Sequence, residues 1–306
     1  MMRPQAGRTQ SGSHTGSRPP AAVEIAPQGV LAAALPRRGE APAFAFVPLP
    51  AGALTPGLAD TNVRSPEAVA EAVRKALDEV SPHTRCVTLV TPDTSTRVFV
   101  LDFDSLPARA AETLPVLRFR LRKMVPFDLE HAGISYQVLA QGRNEVRVLV
   151  VVTPAQVLAE YEAAVRAAGY EPGVVLPSSL AALAGMESAE PVLAACLSGM
   201  SLSTSISQGD DLLLFRTLDL PEDPEQCRAE VQRDIAVAAA YFEDKLAKHP
   251  RTLRFAGVST ADNFARWLGD PDLKVVEMTE RPATGMTTTM GNMSLAALAG
   301  ALAGAQ

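Results

Sequence analysis

The segment 82–168 constrains the fold most strongly, because its apolar pattern switches repeatedly between the two-residue period of a strand and the 3.6-residue period of a helix. Six elements in the order β-β-α-β-β-α are predicted: strands at 86–90, 97–103, 134–140 and 145–152, and helices at 106–123 and 154–168. Pro115 bends or restarts the first of these helices, and Thr153 with Pro154 resembles the start of the second. The segment therefore indicates a compact mixed α/β unit.

The flanking sequence predicts further mixed structure. Strand patterns at 23–35 and 42–48 surround a polar turn at 37–40 and indicate a hairpin, and Ser65-Pro66 then opens a helix over 66–80. The remaining predicted elements are a strand and helix within 171–185, strands at 192–199, 202–208 and 212–220, a long helix from Asp223-Pro224, a strand at 252–258, a helix near 260–269, a strand at 273–278 and a helix at 292–304. With 306 residues, the chain is expected to form two α/β domains.

Charge and composition exclude several classes of protein. A net charge of −6 argues against a nucleic-acid-coating protein, which needs a basic surface. The three cysteines, Cys86, Cys196 and Cys227, are far apart, so neither a zinc site nor a disulfide framework is indicated. Residues 1–22 contain no acidic side chain and almost no large apolar one, which predicts a disordered leader. Without a long apolar run or a signal peptide, we expect a cytoplasmic protein.

Five stretches in this order resemble the PilM-like family of cytoplasmic type IV pilus assembly proteins: residues 49–77, 105–139, 150–175, 212–220 and 229–243. The most specific lies in 105–139, where RLRKMVPFDLEHAGISYQVL shows a helix, a Val-Pro-Phe turn and a Tyr-x-Val strand. The resemblance implies an α/β, actin-like (ribonuclease H-like) two-domain fold with an inserted α/β subdomain and a reduced second domain. It implies these boundaries: leader 1–22, first domain 23–81, inserted subdomain 82–170, remainder of the first domain 171–190 and 290–306, and second domain 191–289.

Actin-like proteins bind ATP between glycine turns that lie near acidic residues, and the resemblance places the corresponding turns here. Glu24 stands where the family has Asp, and Ala26-Pro27 replace the first glycine turn. Gly199 remains in the second turn, but no Asp or Glu occurs between 191 and 209. In the third turn, Gly257 is the one glycine that is retained. We therefore expect no ATP hydrolysis, with no cofactor or only residual ATP and Mg²⁺ binding.

The same resemblance implies a partner. PilM-like proteins bind the cytoplasmic N-terminal segment of a bitopic PilN-like membrane protein in a groove between the first domain and the inserted module, which implies a groove lined by residues 97–127. Arg118 and Arg122, one helical turn apart, form a basic face, and Pro126 and Phe127 set the turn that follows. We expect these four residues to contact a partner, other pilus platform proteins to bind elsewhere, no nucleic acid to bind, and membrane association to be indirect.

Two other functions stay open from the sequence. A type II secretion platform has a cytoplasmic domain of similar fold, although such chains usually also carry a transmembrane helix. A divergent actin-like ATPase would use Glu24 to bind metal through water, and an acidic residue brought near Gly199 by the fold would favour it. Asp102 and Asp104 share one face of a strand, but we interpret them as solvated rather than as metal ligands.

Overall fold

The computed structural model describes residues 18–36, 42–186, 188–209, 211–279 and 288–305. In chain order its strands are β1 (Ala21–Ala26), β2 (Gly29–Ala34), β3 (Ala43–Pro48), β4 (Cys86–Thr91), β5 (Arg97–Phe103), β6 (Ala132–Gln141), β7 (Val146–Pro154), β8 (Glu171–Pro177), β9 (Val192–Ser198), β10 (Ser201–Gln208), β11 (Asp211–Asp219), β12 (Thr252–Gly257), β13 (Lys274–Glu277), β14 (Thr289–Met290) and β15 (Met293–Ser294). Its helices are α1 (Pro66–Val80), α2 (Ala110–Leu121), α3 (Ala155–Ala167), α4 (Ser178–Leu183), α5 (Pro224–Leu246), α6 (Ala261–Leu268) and α7 (Ala296–Ala303). No helix among these combines the length and hydropathy of a bilayer span.

Two five-stranded sheets share one topology. The first has the order β3-β2-β1-β4-β8, and the second has the order β11-β10-β9-β12-β13. In each, the first three strands along the chain form an antiparallel meander and the last two run parallel to the first strand. Only residues 220–223 separate β11 from α5, so the second domain carries no added subdomain there. The expected actin-like two-domain fold with a reduced second domain is confirmed.

Each sheet is covered on both faces. Because side chains alternate along a strand, Val23 and Ile25 of β1 pack against α1 and α3, whereas Ala22 and Ala26 face the helices between the domains. The second sheet repeats this arrangement. Leu193 and Ala195 of β9 pack against α5 and α6, while the intervening β9 residues face the first domain.

The inserted module, which we define as residues 97–154, consists of β5, α2, β6 and β7. Its sheet has the order β5-β7-β6, and α2 covers one face by burying Leu117 and Leu121 against β7. These bounds are narrower than the predicted 82–170. Strand β4 lies between β1 and β8 of the first sheet, and α3 packs on α1, because both bury apolar faces in the first domain's core.

The amino-terminal strands also differ from expectation. The predicted single strand over 23–35 is two strands, because Pro27 and Gln28 form a turn between β1 and β2. Strand β1 already begins at Ala21, within the predicted leader, and Arg18 donates a backbone hydrogen bond to the carbonyl of Gly304. Residues 1–17 and the predicted turn at 37–40 lie outside the described residues.

Several predicted helix ends are shifted. Helix α2 ends at Leu121, well before Pro126, and it continues through Pro115 without restarting. Strand β7 runs through Pro154, so Thr153 caps no helix; its hydroxyl instead hydrogen-bonds to the Thr96 hydroxyl at 2.8 Å. Asp223 does cap α5, since its carboxylate accepts from the backbone N–H of Gln226 at 2.9 Å.

Helices α4 and α7 pack against each other between the two sheets. Their side chains form one apolar cluster with residues from both sheets, including Ala22 and Leu31 of the first and Ala194 and Ala256 of the second. A Cβ atom on Gly300 of α7 would lie 1.9 Å from the carbonyl oxygen of Ala181 in α4. A side chain at this position would therefore force the helices apart.

We expect Gly300→Ala to lower the free energy of unfolding by about 1–3 kcal/mol, because the added methyl group must displace backbone rather than a side chain. The measurement is urea-induced unfolding of both proteins. Gly57→Ala is the matched control, since nothing lies within 4 Å of its added Cβ and its φ is not positive. Equal losses in the two variants would contradict the proposed helix contact.

Candidate functional site

The cleft between the two sheets lies where the resemblance places a nucleotide. Glu24 of β1 and Gly257 of β12 line the same cavity, together with Ser198 at the end of β9, residues 292–294 ahead of α7, and residues 296–297 within it. Gly199 lies one residue beyond Ser198, in the turn to β10. The fold thus brings the three sequence-predicted turns to one end of the two sheets.

The two glycines have local structural reasons. Gly199 has a φ of +57°, a left-handed conformation that glycine adopts at little cost, and its Cβ position is open. A Cβ on Gly257 would lie 2.6 Å from the ring of Phe255 and 3.0 Å from the carbonyl oxygen of Leu197. That space is taken by the protein itself, so Gly257 does not provide an open approach to a ligand.

Glu24 is buried in this cleft and tied to α4. Its Oε1 atom accepts a hydrogen bond from the Ser178 hydroxyl at 2.7 Å, while Oε2 has no protein partner. Burial raises the pKa of Glu24 from 4.5 to about 7; the Ser178 hydrogen bond opposes this shift, and the nearby Asp93 adds to it. Near neutral pH the carboxyl is therefore partly protonated and poorly suited to hold a divalent cation.

Asp93 is a second buried acid, which the sequence reasoning missed. It follows β4 in a short 3-10 turn, and its Oδ1 atom accepts from the hydroxyl of Ser179 at 2.7 Å and from its backbone N–H at 3.2 Å. Burial raises the pKa of Asp93 to about 6. The polar run TPDTS after a buried strand was the available sequence signal. Both acids thus bind the serines that begin α4.

The cavity between the two sheets is small in this conformation and opens to solvent on one side. Its volume is about 30 Å³. Glu24 is the one carboxylate on its described wall. Asp219 of β11 lies opposite Ser201, two residues beyond Gly199, but its carboxylate is paired with Arg97. Among the described residues, no group of three or more His, Cys, Asp or Glu side chains is arranged to hold a metal. In this conformation the wall of the cavity therefore offers a metal ion a single carboxylate.

A second candidate site lies on the inserted module, between α2 and the segment 127–130. This groove has a volume of about 550 Å³ and is lined by Pro115, Arg118, Phe119, Arg122, Phe127, Asp128, Leu129 and Glu130. Three of the four predicted partner residues, Arg118, Arg122 and Phe127, meet here, whereas Pro126 is exposed outside the lining. The groove lies within the module, not along its border with the first domain.

Local packing explains the shape of the groove. Phe127 is half-buried against the apolar core beneath α2, and the guanidinium of Arg118 donates to the carbonyl of Leu129 at 3.3 Å. The sequence reasoning missed Phe119, which is 78% exposed. Its position two residues from both Leu117 and Leu121 was the available signal, because that spacing places it opposite their buried face. Asp102 forms an ion pair with Arg147, with Oδ1 and Nε 3.0 Å apart.

Comparison with known proteins supports the fold. No protein-family model matches the chain, and no curated protein matches its sequence. The PilM–PilN type IV pilus biogenesis complex contains a similar chain, with a TM-score of 0.72 and 19% identity over 95% of this chain and 100% of that one. The cytoplasmic domain of EpsL, an inner-membrane component of the type II secretion system of Vibrio cholerae, has a TM-score of 0.50 and 15% identity, covering 86% of this chain and 89% of that one. The expected likeness to PilM is confirmed at the level of the fold.

The raised pKa of Glu24 predicts a pH-dependent stability. In the unfolded chain this carboxyl titrates near 4.5 and in the folded chain near 7, so the folded state binds more protons between these values and its stability falls as pH rises through that window. Glu24→Gln removes the titrating carboxyl and therefore removes this loss of stability at higher pH. We expect the variant to gain about 3 kcal/mol relative to the parent between pH 4 and pH 8.

Urea unfolding measured across that pH range checks this expectation. Glu79→Gln is the control, because Glu79 is exposed on α1 and contributes no comparable buried charge. Parallel pH profiles for the parent and Glu24→Gln would contradict the burial of an unpaired carboxyl at this position.

Proposed function

We propose that this chain is a non-catalytic cytoplasmic scaffold of a type IV pilus assembly platform, which binds the cytoplasmic N-terminal segment of a PilN-like inner-membrane protein. The observation that supports the proposal is the difference in volume between the two cavities. In a fold like that of PilM, the cavity in the cleft has a volume of about 30 Å³, while the groove on the inserted module has a volume of about 550 Å³.

The chemistry of the cleft supports a role without ATP hydrolysis. Phosphoryl transfer needs carboxylates that hold Mg²⁺ and backbone N–H groups that surround phosphate. Here Pro27 removes one N–H from the first turn, and the hydroxyl of Ser178 holds one oxygen of Glu24. The third turn is closed by Phe255 and Leu197. We propose that no cofactor binds and that the cleft instead joins the two domains.

The groove supports a role in peptide binding. Its apolar lining consists of Pro115, Phe119, Phe127 and Leu129. Arg118 lies on α2 and Arg122 directly follows it, whereas Asp128 and Glu130 lie on the opposite wall. A short segment with an apolar side chain between polar neighbours would bury that side chain and satisfy its own polar groups at the two walls. The chain would then be held at the periphery of the inner membrane by its partner, with other platform proteins at further surfaces.

The likeness to EpsL favours a second candidate function, a platform component of a type II secretion-like system. Both functions use this fold as a binding module and predict a membrane-protein partner. The lower TM-score and coverage make it the weaker candidate. A divergent ATPase is disfavoured because the carboxylate of Asp219, which the fold brings beside the turn at Gly199, is already paired with Arg97.

We expect calorimetric titration with ATP and Mg²⁺ to give no saturable heat, because the cavity in the cleft is small and offers Mg²⁺ a single carboxylate. Titration with a peptide copying the cytoplasmic N-terminal segment of a PilN-like protein should give saturable binding. Magnesium-dependent ATP binding would overturn the non-catalytic assignment, and binding of neither ligand would overturn the proposed partner.

The lining of the groove predicts which side chain of the protein contributes to peptide binding. We expect Phe127→Ala to weaken peptide binding about tenfold, because this ring forms the groove wall. Phe103→Ala is the matched control, since Phe103 is also half-buried in the core of the module but does not line the groove. Thermal unfolding by circular dichroism verifies that both variants fold, and equal affinities in the two would place the peptide elsewhere.

A further inference from the structure

The outward face of α2 carries an exposed apolar ridge. Phe119 is 78% exposed, and Met124 and Val116 are 40% and 37% exposed. A helix advances about 100° per residue, so Phe119 lies nearly opposite the buried Leu117 and Leu121. The ring therefore projects from the centre of the solvent-facing side of the helix. An apolar side chain exposed there does not stabilise the folded protein in water.

Cations flank this ridge on both sides. Arg118 and Arg120 are the immediate neighbours of Phe119 in the sequence, and Arg122 and Lys123 follow one turn later. No acidic residue occurs between Glu112 and Asp128 in the sequence. In the described parts of the chain, Arg120, Arg122 and Lys123 form no salt bridge, so their charges are not neutralised within the protein. A chain with a net charge of −6 thus concentrates positive charge around one exposed aromatic ring.

This face is free to meet an extended surface. The opposite face of the module's sheet packs on the second domain, where Val98, Leu149 and Val151 contact Leu212 and Phe215. Since α2 covers the other face, its outward side is directed away from the second domain. The ridge is therefore on the outside of the folded molecule.

We propose that the outward face of α2 docks on an anionic phospholipid bilayer, with Phe119 in the interfacial region and Arg120 and Lys123 at the headgroups. Phe119 also lines the edge of the peptide groove, so the two surfaces adjoin at this ring. Apolar side chains flanked by Lys and Arg are the combination by which amphipathic helices bind membrane surfaces. This direct contact goes beyond the proposed function, in which the chain reaches the membrane through a protein partner.

The arrangement favours lipid over an acidic protein segment. A segment lying in the groove beside α2 would meet Asp128 and Glu130 on the opposite wall, and these repel acidic side chains. A bilayer contacts only the ridge and leaves that wall in water.

Vesicle co-sedimentation tests the proposal. We expect the full chain to bind vesicles containing phosphatidylglycerol, not vesicles of phosphatidylcholine alone, and to dissociate as salt is raised. Each cation near an anionic surface strengthens partitioning roughly fivefold. The double variant R120E/K123E should therefore lose at least about tenfold in binding, whereas R74E/K75E, with the same change of charge on exposed positions of α1, should bind like the parent.

A fluorescent reporter tests the role of the ridge itself. Trp267 is the one tryptophan of the chain, so Trp267→Phe removes the background. Adding Phe119→Trp should give an emission that shifts to shorter wavelength with phosphatidylglycerol vesicles. Val237→Trp in the same background is the control, because Val237 is 46% exposed on α5 of the second domain and should show no shift.

The outcomes separate this proposal from the proposed function. Phe127→Ala should lose the peptide and keep the vesicles, and R120E/K123E should do the reverse. Absence of vesicle binding by the parent, equal binding by the two charge variants, or tight binding of polyglutamate by the same face would each overturn the docking on lipid. None of these results alters the peptide titration, which is done without vesicles.

Discussion

The close contact between α4 and α7 determines the relation of the two domains. The backbone of Gly300 approaches the carbonyl of Ala181, so the two helices lie together as one layer between the sheets. Small side chains such as Ala22, Ala194 and Ala256 let both sheets approach this layer. Dispersion contacts at this density leave no large void at the centre of the molecule. The reduced cleft is a consequence of this packing.

Hydrogen bonds in the same layer fix the orientation of the packed helix α4. Ser178 and Ser179 begin α4, and their hydroxyls donate to Glu24 and Asp93. One oxygen of each buried acid has no protein partner. Burying such a carboxyl costs much more free energy when it is charged than when it is protonated. The carboxyls therefore act as partly neutral hydrogen-bonding groups that fix the start of α4. Glu24 therefore has a structural role at the start of α4.

The local elements of the fold could be predicted from the sequence, but their partners in the sheets could not. Helix α1 was placed correctly because Pro66 and the spacing of Val69, Val73 and Leu77 both depend on local geometry. Strand β4 was assigned to the wrong sheet, because a buried parallel strand is apolar whichever neighbours it has. In the candidate sites, Glu24 and Phe127 were found from family motifs. Asp93 was missed because its burial depends on Ser179, 86 residues away in the chain.

The contact between the inserted module and β11 shows how such a fold can be stable without a nucleotide. The module belongs to the first domain in sequence, yet Val98 and Val151 pack on Phe215 of the second domain, and Arg97 forms an ion pair with Asp219 at 2.6 Å. The exposed ion pair contributes little by itself, so the apolar contact supplies most of the stabilisation. In an actin-like enzyme, a ligand in the cleft can join the two domains and its turnover can separate them. Here the α4–α7 layer and the contact between the module and β11 both join the two domains.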